Sequence, residues 1–218
     1  MIVLLIDGQW LTFAALLFTI IISLACHEFG HAWSAKLYGD DTAEKLGRLT
    51  LNPIAHIDPV GLVMIILIGF GWAKPVPTNP ANFNSFWATL VIAAAGPLAN
   101  LILAFLAINT FALAAANGFS FAFSEGFVTF FYWFTYINLL LMLFNLIPIG
   151  PLDGHYILPY FLPRSVSRVY RDLNQRYGSF AVLGLVILSY AGVPIFAALR
   201  NSAQWLMGAL NIVGVSTP

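Results

Sequence analysis

From Gly8 to Cys26 the chain carries no charged residue, and the run closes on His27-Glu28-Phe29-Gly30-His31. A segment of this length and polarity is suited to a helix in lipid, where every backbone polar group must find its partner within the segment. Composition agrees. Of 218 residues, 60% are hydrophobic and 8% charged, against about 25% charged in an ordinary soluble domain. The expected fold is mainly α, a polytopic membrane protein filling 1–218 as one membrane-embedded domain, with the lipid bilayer as partner. Net charge is zero, which argues against nucleic acid as a partner. The N-terminus lacks the basic stretch of a cleavable leader.

Four apolar segments reach the roughly twenty residues of a crossing helix, at about 8–37, 86–116, 127–149 and 179–199. About four transmembrane helices are therefore expected. A fifth run, 60–73, is short, holds Gly61, Gly69 and Gly71, and leads into Lys74-Pro75-Val76-Pro77. Together with the alternation from Arg48 onward, it predicts a short re-entrant β segment after the first helix, with an edge open to an extended substrate. A plain surface loop is the bland alternative. If 60–73 dips in and returns, Lys36, Lys45, Arg48, Lys74 and the four arginines from Arg164 to Arg176 share one side, with Arg200 opposite. The positive-inside rule then puts the N-terminus outside and His27 toward the cytoplasmic side of the cell membrane.

His27 and His31 lie one helical turn apart and project from one face. Zinc takes neutral imidazole nitrogens, and a neighbouring carboxylate that does not ligate can accept a proton from water. Glu28 is placed for that role. Chance histidines on a helix are the alternative, but ionisable groups at membrane depth are costly and seldom idle. Asn145-Leu-Ile-Pro148-Ile-Gly150-Pro151-Leu-Asp153-Gly154-His155 breaks a helix near the membrane and offers one carboxylate. Asp153 is the natural third ligand, although an isolated Asp-Gly also reads as a surface turn. Asn100 is an amide in an apolar stretch, either a bond between helices or a group that binds or polarises a substrate carbonyl. His56 and His155 are candidates for the surroundings of the site. Cys26 reads as a structural thiol, and the arginines after Pro163 as a basic surface helix.

Three pieces, His27-Glu28-Phe29-Gly30-His31, Gly96-Pro97-Leu98-Ala99-Asn100 and the stretch from Asn145 to Gly154, together resemble the site-2 protease family of intramembrane zinc metalloproteases. Gly71-Trp72-Ala73-Lys74-Pro75-Val76-Pro77 is similar to a loop of its prokaryotic members. The resemblance implies one Zn2+ per chain held by His27, His31 and Asp153, with Glu28 as general base toward a metal-activated water. It also implies a substrate-binding role for Asn100 and hydrolysis of peptide bonds in transmembrane protein substrates. Two differences stand out: there is no room for a PDZ domain between Asn117 and Phe127 or for CBS domains before the end, and Gly150 replaces a usual proline. A zinc-binding membrane scaffold or transporter, non-catalytic, would keep the three ligands but would not need Glu28. The sequence is silent on oligomeric state.

Overall fold

The computed structural model describes residues 1–214. Within them the chain forms α1 (Ile2–Ile6), α2 (Trp10–Leu37), α3 (Thr42–Lys45), α4 (Pro59–Ile68), α5 (Ala88–Ala116), α6 (Glu125–Asn145), α7 (Gly154–Ile157), α8 (Arg164–Tyr190) and α9 (Ala197–Leu210). The expected mainly α architecture is found. Of these helices α2, α5 and α6 are long and apolar enough to cross a membrane.

The re-entrant β segment is not. Residues 60–73 open as helix α4, and among the described residues extended pairing is limited to one antiparallel bridge, Ile57 to Ala73. The reason is local. Asp58 caps the helix by accepting from the Gly61 N–H at 2.9 Å, Pro59 takes the first position, and Gly69 ends it at φ 77°. These are complete start and stop signals, and they outweigh the β-favouring valines and isoleucines between them. Gly61 and Gly71 instead let the returning chain press on the helix: a Cβ on either would run into backbone of the other limb.

The expected fourth crossing at 179–199 is corrected as well. Its first part belongs to α8, a single helix that begins in the arginine-rich stretch and stops at Tyr190, just before Gly192 at φ 93°. Gly178, which invites a break, is spent on packing: it lies buried against the backbone of Gly150. An arginine-rich half fused to an apolar half is amphipathic along its length rather than a membrane-length apolar rod.

Helices α2, α5 and α6 pack on one another, and α9 covers α6 and α5. Small residues set the α2–α5 spacing. Gly30 faces the Ala95 carbonyl so closely that a Cβ would sit 2.7 Å from it, the kind of contact that draws helices together where lipid gives no hydrophobic drive. Below it, Ala104, Ile108, Tyr136, Leu139 and Met142 join Ala203 and Met207 of α9 in one apolar cluster. Buried Asn109 seals the far end, donating to the Leu210 carbonyl and accepting from the Ile212 N–H.

At the other end of α2, Asp40 knots the loops together. Its carboxylate, 0% exposed, accepts from the Thr42 hydroxyl (2.5 Å), the Asn79 N–H (2.6 Å), the Asn82 amide (2.9 Å) and the Thr42 N–H (3.2 Å). Burial works against the charged form, but these bonds outweigh it and hold the carboxyl below its usual range. A depressed folded-state pKa adds stability above the unfolded value, about 4, that is lost as pH falls through the folded one. Amide exchange in 39–42 and 79–84 is expected to speed up as pH drops below about 4 once the intrinsic rate is divided out. In Asp40→Asn it should be fast at pH 7 already.

Candidate metal centre

Two elements deliver three potential ligand atoms to one point. Helix α2 supplies His27 and His31, 5% and 9% exposed, and the turn between α6 and α7 supplies Asp153. Nε2 of His27 lies 3.0 Å from Nε2 of His31 and 3.1 Å from Asp153 Oδ2, while His31 Nε2 lies 3.3 Å from Asp153 Oδ1. One ligand atom from each falls within 4.8 Å of the others.

The proton count at this cluster is informative. His31 Nδ1 is 2.7 Å from the Ile92 carbonyl, which only accepts, so the imidazole donates there and a neutral ring keeps a lone pair on Nε2. His27 Nδ1 is 2.7 Å from Asn100 Oδ1. The Asn100 amide is fixed in that sense, because its NH2 donates to the Ser23 carbonyl at 3.1 Å and to Asn138 Oδ1 at 2.9 Å. His27 therefore donates from Nδ1 and also presents a bare Nε2. Asp153 Oδ2 is buried with no hydrogen-bond donor of its own. Two imidazole lone pairs and a carboxylate, brought together without a proton to share, suit a cation. Nitrogen and oxygen donors with nitrogen in the majority suit zinc.

Each ligand is held from behind. Gly96 lets α5 lie against the rings, since a Cβ there would collide with both imidazoles. Asn138 of α6, 0% exposed, passes its own amide hydrogen to the Phe134 carbonyl and receives one from Asn100. Two groups on α8 grip the Asp153 turn: Tyr170 donates its hydroxyl to the Pro148 carbonyl (2.7 Å) and Asn174 Oδ1 accepts from the Gly150 N–H (2.8 Å). Gly154 packs where any Cβ would strike the Leu146 and Ile147 carbonyls. The Gly150–Pro151 bond is cis.

Glu28 is 8% exposed and accepts from the Val76 N–H at 2.9 Å. It lines a cavity of about 830 Å³ together with His27, His31, Asp153, the chain from Phe70 to Ala73, Pro75 and Val76. His56 is elsewhere, 1% exposed, donating from Nε2 to the Thr50 carbonyl. His155 follows Asp153 but lines a separate cavity with Arg171 and Asn174. Of the residues singled out in the sequence, the structure brings His27, Glu28, His31, Asp153 and Asn100 together. Sequence reasoning missed the Ile92 carbonyl and the Val76 N–H, which carry no side-chain signal. Asn138, Tyr170 and Asn174 it also missed; of these Asn138 was findable as a second amide in an apolar span.

Asn100→Leu keeps the volume near α2 but removes the acceptor that fixes His27. Partners behind metal ligands are typically worth 10–100-fold in affinity, and a zinc competition titration should show a loss of that order. Gly96→Ala should weaken zinc at least as much, by pushing on both rings.

The profile described as Peptidase family M50 matches residues 15–125 and 111–189. YwhC of Bacillus subtilis (strain 168), which carries a zinc metalloprotease name, is 42% identical over 201 residues, covering 89% of this chain and 91% of its own. Rip2 of Mycolicibacterium smegmatis, also named as a zinc metalloprotease, is 31% identical over 180 residues, 77% of this chain and 64% of its own. Rip2 of Mycobacterium tuberculosis (strain H37Rv) is 31% identical over 180 residues, 78% of this chain and 64% of its own. No solved structure matches. With the family profile over most of its length, and with a relative of nearly its own span, the chain belongs to peptidase family M50, the site-2 protease family.

Proposed function

We propose that the protein is an intramembrane zinc endopeptidase, cutting membrane-spanning proteins, with one Zn2+ per chain. The observation that carries this reading is the meeting of three potential ligand atoms beside a carboxylate that is not one of them. His27, His31 and Asp153 hold the metal. Bound zinc supplies Lewis acidity toward water and toward the scissile carbonyl.

Glu28 acts as general base and then general acid. It takes a proton from the attacking water and returns it to the leaving amine. The Val76 N–H occupies Oε2, which leaves Oε1 for that transfer. Asn100, with both amide hydrogens spent on Ser23 and Asn138, works through His27 rather than on the substrate carbonyl. A substrate helix is about 10–12 Å across with side chains and hides its carbonyls in its own bonds. It must unwind before a peptide bond enters the cavity.

The basic end of α2 supports an active site toward the cytoplasmic side with the N-terminus outside. Arg48 there touches the carbonyls of Lys74 and Pro75, so both limbs of the 57–73 excursion end on one side. The whole of 1–218 acts as one membrane-embedded metalloprotease domain, and the cell membrane is its setting.

Cleavage of a membrane-spanning reporter in detergent tests this. Glu28→Gln should bind zinc like the wild type yet cut about 10²–10⁴-fold more slowly. Asp153→Ala should lose both metal and activity. A chelator should stop the wild type and added zinc restore it. Zinc bound tightly with the reporter left whole by the wild type would instead make the protein a scaffold or transporter.

A further inference from the structure

Arg48 is a buried cation that the reaction as described does not use. It is 5% exposed, and among the described residues no carboxylate lies within 4.0 Å of its guanidinium. Burying a guanidinium without a counter-ion is costly. What it has is backbone: Nη1 donates to the Pro75 carbonyl at 3.0 Å and Nη2 to the Lys74 carbonyl at 2.6 Å. The neutral ring of His56, protonated on Nε2 toward Thr50, turns Nδ1 to Nη2 at 3.4 Å.

The segment so held is unusual in its donors. Pro75 and Pro77 have no N–H, so from residue 74 to residue 77 the chain owns two amide hydrogens. That of Lys74 goes to the His56 carbonyl at 2.8 Å, and that of Val76 goes to Glu28 Oε2 at 2.9 Å. A stretch with alternate prolines cannot be fixed by a ladder from its N–H side. Arg48 fixes it from its carbonyl side. Among the described residues the Val76 N–H is the one hydrogen bond made to the Glu28 carboxylate, which lines the same cavity as His27, His31 and Asp153.

We propose that Arg48 is a positioning residue for the protease reaction: by clamping the Lys74 and Pro75 carbonyls it holds the Val76 N–H on Glu28 and so sets the general base in place. The inference rests on the proposed protease activity, but one of its readouts does not. In the full chain in detergent, hydrogen exchange at Val76 should speed up at least tenfold in both Arg48→Ala and Glu28→Ala, with zinc content unchanged in Arg48→Ala. No substrate enters that measurement. On the reporter, Arg48→Ala should lower kcat about 10–100-fold with a smaller change in KM, and millimolar guanidinium should restore part of it. Arg48→Lys should recover little, because an ammonium cannot span two carbonyls as a planar fork does. Val76→Pro, which removes the N–H, should reproduce the kcat loss without adding to that of Arg48→Ala.

Wild-type kcat in zinc-loaded Arg48→Ala, or undiminished protection at Val76, would overturn the proposal. So would losses in Arg48→Ala that track zinc release and are untouched by guanidinium, or losses in the two variants that simply add. If the wild type itself cuts nothing, the protease reading falls, and the exchange experiment still decides the clamp.

Discussion

The structure turns on where two imidazole protons go. His27 gives its own to Asn100 and His31 gives its own to the backbone of Ile92. Those commitments leave two bare nitrogens facing the Asp153 carboxylate, an arrangement that repels itself unless a positive charge joins it. Much of the surrounding construction serves that alignment: Gly96 lets α5 reach the rings, Asn138 locks the amide that locks His27, and the broken end of α6 swings a carboxylate in from another helix.

Placing such a centre among apolar helices has a second effect. Lone pairs in a low-dielectric interior are costly to leave unpaired, and hydrogen bonds are spent on the amides and carboxylates packed around the site. Asn100 uses its oxygen and both hydrogens, and Asp40, just past the C-terminal end of α2, takes four. Precision at the metal is thus obtained with amides and glycines rather than with additional charges. Arg48 is the exception, a charge buried among carbonyls.

The candidate ligands that the structure brings together were legible in the sequence because chemistry and spacing coincide there. His27 and His31 share a helical face at a separation of one turn, and Asp153 lies where two prolines end a span. Apolar length alone also announced α2, α5 and α6. The errors have a common cause. Gly61, Gly69 and Gly71 were read as part of a β segment, whereas Gly61 and Gly71 serve close backbone approach and only Gly69 takes a left-handed turn, at a helix end. A missing side chain looks the same in a sequence whether it frees the chain or admits a neighbour. Contacts made by main chain, such as Ile92 to His31 or Val76 to Glu28, leave no trace in residue identity at all.

The turn that carries Asp153 hangs from Tyr170 and Asn174 of α8, whereas the two imidazoles hang from the α2–α5 pair. The three candidate ligands therefore come from two elements, and a cation held among them would tie the Asp153 turn, with the α8 groups that grip it, to α2. By linkage, occupancy of such a centre and seating of α8 would be coupled. To whatever extent seating of that amphipathic helix orders the Asp153 turn, loosening it would weaken the hold on a bound ion, and the ion would in turn favour the seated helix.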